Sequence, residues 1–134
     1  MANTLLIKNL KKDANSIQVM GNLTRGAKGF TLSLGADASN LLICFKPDLT
    51  NGVILCKYKT GGKDGPEMSY PSSSFTPGTA AKMSFSFIGT EVDTQVTVTL
   101  PDNTQFQFNS QVNLDYIAYI LVEGDFVVQS VTMA

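Results

Sequence analysis

Apolar and polar residues alternate along most of this chain with a period of two. Phe30, Leu32 and Leu34 alternate with Thr31 and Ser33, and Met83, Phe85 and Phe87 with Ser84 and Ser86. Val96, Val98 and Leu100 alternate with Thr97 and Thr99, and Phe106 and Phe108 with Gln105 and Gln107. Successive side chains of a strand point to opposite faces, so these runs predict strands with one buried and one wet face. Their β-branched and aromatic residues suit a pleated surface. Between the runs, Gly61-Gly62, Thr76-Pro77-Gly78, Pro101-Asp102-Asn103 and Glu123-Gly124-Asp125 carry the chemistry of chain reversals. Many short strands with frequent turns imply an all-β antiparallel sandwich or barrel. Leu114, Ile117 and Ile120 have helical spacing instead. The segment Leu114 to Tyr119 is therefore open to a helical turn, although one turn is too short for spacing to decide.

The 134 residues fit one domain, and no composition break, linker or low-complexity tract divides them. A chain of this size buries roughly two thirds of its unfolded surface, enough for an independent core. The net charge of −1 argues against nucleic acid as a partner, since phosphate binding needs a clustered positive field. Lys57, Lys59 and Lys63 form the densest basic group and read as a solvated strand end and loop. No basic-then-apolar leader is visible, and no run approaches the ~20 apolar residues of a membrane span, so no membrane insertion is expected. Two cysteines agree with a reducing compartment. The sequon Asn22-Leu23-Thr24 is expected to stay bare without a secretory route.

Catalysis finds little support. The chain has no histidine, which removes His-based acid–base and triad chemistry and leaves both cysteines without an activating base. Asp64 and Glu67 are close in sequence, but carboxylates three apart in a loop are a common solvated feature. Gly61-Gly62-Lys63 lacks both the first glycine at phosphate-loop spacing and the following Ser or Thr. No metal or other cofactor is expected.

The stretch from Leu41 to Ser69 resembles the sugar-binding face of galectins, lectins that bind β-galactosides. The galectin signature reads H-F-N-P-R, then N-T-x-V-x-N, then W-G-x-E-x-R. Here the corresponding segments are Cys44-Phe45-Lys46-Pro47-Asp48, Gly52-Val53-Ile54-Leu55-Cys56-Lys57 and Asp64-Gly65-Pro66-Glu67-Met68-Ser69. Other matches are Phe30-x-Leu32-x-Leu34-Gly35, Asn40-Leu41, Leu100-Pro101-Asp102, Phe106-x-Phe108, Asn113-Leu114 and Gly124-Asp125-Phe126. They cover the chain, and it most resembles the single-domain prototype galectins. The resemblance implies one galectin-like carbohydrate-recognition domain over residues 1–134, a jelly-roll β-sandwich of two antiparallel sheets, one of them concave. The matching positions are mainly packing and turn positions, which speak for the fold more than for the ligand.

Carried over position by position, the resemblance places the concave ligand face at Cys44, Lys46, Asp48, Lys57, Asp64, Glu67 and Ser69. The family's histidine falls on Cys44, its asparagines on Lys46, Gly52 and Lys57, its arginines on Asp48 and Ser69, and its stacking tryptophan on Asp64. Only Glu67 is kept among them. The loop after Asp48 is shorter than in typical members, and Cys44 and Cys56 are placed on opposite faces, too far apart in direction for a disulfide. An aspartate cannot cover the C–H face of a sugar as an indole does, and it prefers water to an apolar surface. Replacing arginine by aspartate turns a rigid fork of donors into an acceptor. Lactose binding is therefore expected to be absent or weak. Lys46, Asp48, Lys57 and Glu67 read either as mutually neutralising surface charges or as a rebuilt polar pocket for another glycan.

The runs Leu5-Leu6-Ile7 and Val127-Val128, with Val131 and Met133, are apolar near the two chain ends. In prototype galectins the terminal strands meet at a twofold interface, so the resemblance implies a homodimer through Leu5, Leu6, Ile7, Val128, Val131 and Met133. The plainer alternative is that these residues complete the monomer's own core. The expected function is a galectin-like carbohydrate-binding protein with lost or altered β-galactoside specificity, its partner a glycan or glycoprotein. The alternatives are a non-lectin structural or abundant soluble relative, and a protein-interaction module using the convex face. The expected location is cytoplasmic, extracellular by non-classical secretion, or both.

Overall fold

A computed structural model of the chain describes residues 2–11, 16–72, 74–89, 92–114 and 116–133, with residues 2–11 and 116 described by backbone placement alone. The alternating runs form strands. In chain order these are β1 (Ala2–Lys11), β2 (Ser16–Leu23), β3 (Phe30–Asp37), β4 (Asn40–Asp48), β5 (Val53–Thr60) and β6 (Lys63–Asp64). They continue with β7 (Met68–Pro71), β8 (Ala80–Gly89), β9 (Thr94–Thr99), β10 (Gln105–Ser110), β11 (Tyr116–Gly124) and β12 (Phe126–Met133). One sheet has the order β1-β11-β3-β4-β5, with β6 and β7 both pairing the far edge of β5; the other has the order β10-β9-β8-β2-β12. The strand pairs are antiparallel throughout. The two sheets pack face to face as a β-sandwich.

The core lies between the sheets and takes the apolar phase of each alternation. Leu32, Leu34 and Phe45 from the first sheet meet Ile17, Met83, Phe85 and Val98 from the second, all with no exposed surface. A chain of phenylalanines knits the layers. Phe30 stacks on Phe126 at 4.9 Å between ring centroids, and Phe45 meets Phe85 edge-on at 5.3 Å. Both geometries suit the aromatic quadrupole.

The turns fall where their residues predict. Gly61 and Gly62 both have positive φ, 57° and 80°, and join Thr60 to its partner Lys63. A two-residue hairpin loop with φ positive at both positions matches the twist of its strands, and glycine adopts it without a Cβ clash. Pro77 precedes Gly78, whose φ is 78°, and Thr79 N–H closes that turn on the carbonyl of Thr76.

The helical option for Leu114 to Tyr119 is not taken. Tyr116 already opens β11, and among the described residues there is no helix. β11 lies between β1 and β3, so both of its backbone edges are hydrogen-bonded over most of its length. One helical turn would satisfy far fewer of those groups. No helix of the described residues is long and apolar enough to cross a membrane.

Candidate functional site on the first sheet

The outer face of the β3–β7 region is set by strand parity. Leu32, Leu34, Phe45, Ile54 and Cys56 are buried in the core, so the residues between them face outward. Ser33 lies opposite Cys44, and Cys44 opposite Lys57, forming one row across β3, β4 and β5. Leu121 of β11 extends that row beyond Ser33. A second row runs from Lys46 to Leu55 to Ser69. A third runs from Tyr119 through Gly35, Leu41 and Lys59 to Asp64. Rows two residues apart are separated by roughly 7 Å along the strands. Cys44, Lys46, Asp48, Lys57, Asp64 and Ser69 thus share one face. Glu67 stands just before β7, solvent-exposed beside them.

The side chains at these positions have specific partners. Lys57 Nζ donates to Asp64 Oδ2 at 3.0 Å, and Lys59 Nζ lies 3.9 Å from Asp64 Oδ1. Lys57 therefore pairs with Asp64, and Glu67 is in no ion pair among the described residues. The hydrogen bond from Lys57 holds the Asp64 carboxyl below its ordinary value and holds the Lys57 ammonium above its own. The pair is open to water, with its side chains 34% and 47% exposed, so it adds little stability. Its consequence is chemical. Position 64 holds a carboxylate flanked by two ammonium groups.

Asp48 serves its own turn. Its carboxylate accepts from Asn51 N–H at 3.1 Å and from Asn51 Nδ2 at 2.7 Å, and these bonds keep it below the ordinary carboxylate value. Its carbonyl accepts from Gly52 N–H at 2.9 Å, closing the short loop into β5. An aspartate that binds backbone a few residues ahead is a turn former. Asp48 thus closes the 49–52 turn.

Cys44 is half-buried, and its Sγ lies 3.3 Å from Ser33 Oγ. Cys56 is fully buried on the core face, and burial pushes its thiol well above the usual range. Both thiols are free, on opposite faces of the sheet. Lys46 is exposed and belongs to no ion pair among the described residues. It lines a recess of about 270 Å³ with Thr31, Lys28, Asp48 and Glu123.

Sequence reasoning missed Leu55, Tyr119, Leu121 and Glu123 as members of this face. Leu55 was hidden because adjacent Ile54 and Leu55 give no alternation. The β11 residues were hidden because the helical reading of 114–119 obscured their parity; Ile120 and Val122, both fully buried, fix it. This face can offer ammonium and hydroxyl donors, carboxylate acceptors, and one aromatic ring on the β11 side.

Among the terminal residues aligned with an interface, Val128 and Val131 are half-buried against the core, whereas Met133 is 41% exposed and neighbouring Val127 51%. The side chains of Leu5, Leu6 and Ile7 lie outside the described residues; their backbone belongs to β1. β1 and β12 are edge strands of the two sheets.

A family profile described as galactoside-binding lectin matches residues 3–133. Galectin-1 of sheep, Ovis aries, is 35% identical over 136 residues, covering 98% of both chains. CG-16, a homodimeric agglutinin from chicken liver, superposes with a TM-score of 0.86 at 25% identity over 100% of both chains. The complex of toad ovary galectin with thio-digalactose also superposes at 0.86, with 25% identity, over 99% of this chain and 98% of that one.

Proposed function

Because this chain belongs to the galactoside-binding lectin family, the galectins, we propose that it is a carbohydrate-binding protein whose outer sheet face no longer reads β-galactosides in the family's way. Family members are lectins, not enzymes. The observation that carries the reading is the Lys57–Asp64–Lys59 cluster where the family's signature has its tryptophan. Aromatic cover for the apolar face of galactose is replaced there by hydrated charge. The exposed Lys46, the hydroxyls of Thr31 and Ser69, and Glu67 and Glu123 offer donors and acceptors to a different, more polar glycan or glycoprotein. Lactose binds weakly or not at all.

A glycan array probed with the native chain and with Lys46→Ala/Lys57→Ala tests this. A defined glycan signal in the native chain that the double variant loses supports the reading, and silence in both refutes it. Silence would favour the second reading, a structural or abundant soluble relative without lectin activity. One observation supports that alternative: Asp48, Lys57 and Asp64 have their partners within the chain itself.

The assembly proposed with this function is a homodimer through β1 and β12. It is supported by their edge positions and by the exposed Val127 and Met133. Sedimentation at micromolar concentration giving a dimer, reduced to monomer by Leu6→Asp, is the expected result; monomer in both refutes it.

A further inference from the structure

Independently of the reading above, we propose a second binding site, for a neutral saccharide, in the groove between β7 and β10 on the open side of the sandwich. A cavity of about 320 Å³ lies there, within the range of small-ligand sites. Its walls combine Tyr58, Met68 and Tyr70 with Gln111 and with the edge of β10 at Gln107, Phe108 and Asn109. Every residue lining it is uncharged. A charged ligand would leave water there without a counter-charge, so the groove selects a neutral one. Aromatic and thioether surface suits an apolar ring face, and amides suit hydroxyls.

The rings are held in place before any ligand arrives. Tyr70 stacks on Phe106 with centroids 4.1 Å apart and planes 24° from parallel. Gly65 lies against the ring of Tyr58, where a Cβ would collide with it, and Gly65 N–H donates to the Tyr58 carbonyl at 2.8 Å. Tyr58 Oη donates to Gln111 Oε1 at 3.0 Å, and Gln95 Nε2 donates to Gln107 Oε1 at 3.0 Å. The Tyr58 bond orients the Gln111 amide and leaves its Nε2 as a donor toward the groove, whereas the Gln107 amide is engaged with Gln95 on the outer face of β9 and β10. The tyrosine oxygens keep acceptor capacity for ligand hydroxyls. Fixed groups lower the ordering cost of binding.

A peptide adding to the edge of β10 fits less well. Tyr70 Oη already donates to the backbone carbonyl of Gln107 at 3.1 Å, which occupies a group that an added strand would need. Beyond Tyr70 a further recess of about 370 Å³ presents Ser72, Ser74 and Thr104, room for a longer oligosaccharide.

The test uses two neutral oligosaccharides without galactose, maltotetraose and tri-N-acetylchitotriose, titrated into the labelled protein and followed by amide NMR. Tyrosine emission is a second readout, because the chain has no tryptophan and Tyr58 and Tyr70 are two of its four tyrosines. The expected result is saturable, millimolar binding of at least one sugar, with shifts centred on Tyr58, Met68, Tyr70, Asn109 and Gln111. Gln111→Ala, at an exposed position, should weaken it about fivefold or more without moving the thermal midpoint. Lys46→Ala/Lys57→Ala should leave it unchanged, which separates this groove from the outer sheet face. The proposal is overturned by no shifts in the groove up to about 20 mM of either sugar. Shifts indifferent to Gln111→Ala, or binding there of an extended peptide with both sugars silent, overturn it equally.

Discussion

Phe45 and Lys46 are adjacent in the family signature, and the structure gives them opposite tasks. Phe45 has no exposed surface and touches a ring on several sides: Phe85 at 5.3 Å, Phe30 and Phe75 at 6.3 Å and Phe106 at 6.5 Å. Phe45→Ala removes that hub. A buried phenylalanine takes about 150 Å² or more out of water, worth roughly 4 kcal/mol at about 25 cal/mol per Å². Measured Phe→Ala losses in cores, about 3–5 kcal/mol, agree with this. Against a total stability of about 5–15 kcal/mol this is a large fraction, so the variant should remain folded only marginally. With a urea slope near 2 kcal/mol per M, the midpoint should fall by about 2 M. Lys46→Ala, one residue on and exposed on the outer face, should leave the midpoint where it was. Equilibrium urea unfolding of the two variants by circular dichroism gives both numbers. A Phe45→Ala loss below about 1 kcal/mol, or a Lys46→Ala loss of similar size to it, would refute the assignment of these faces.

Two further predictions concern the outer face. In the native chain, Cys44 should react with a thiol reagent while Cys56, fully buried and with its thiol shifted upward, should react only after unfolding; equal native rates would contradict this. Asp64 should titrate below 3.8, because the Lys57 hydrogen bond stabilises its charged form. A depressed carboxylate contributes its interaction above the ordinary value and loses it as pH falls through the lowered one, so the Lys57–Asp64 link should break only below 3.8. In Lys57→Ala the midpoint, read from the side-chain carbon shift, should move up, and no movement would contradict the pairing.

Much of the fold is legible because alternation reports burial directly. Phe30, Leu32, Leu34, Met83, Phe85, Phe87, Val96 and Val98 are all buried as their phase predicts. Phe106 is less complete, half-buried beside Tyr70 at the sandwich's open side, because an edge strand leaves one flank uncovered. β11 is harder to read. Its spacing at Leu114, Ile117 and Ile120 is local, whereas its strand state comes from pairing with β1 and β3, distant in sequence. That the candidate residues share a face is legible, and their partnerships are less so. The aligned residues converge on one face, yet nothing in the sequence says that Lys57 takes Asp64 over Glu67, or that Asp48 accepts from Asn51 three residues ahead. Those choices depend on the hairpin at Gly61-Gly62, which swings β6 alongside Lys59, and on the shortness of the 49–52 turn.

The proposed exchange on the outer face is of a galactose platform for charge. The most direct measurement is a calorimetric titration of the native chain with lactose, paired with amide NMR to locate any binding. No saturable heat in the sub-millimolar range and no concerted shifts at Cys44, Lys46, Lys57 and Asp64 are expected. Sub-millimolar lactose affinity with shifts on those residues would contradict it.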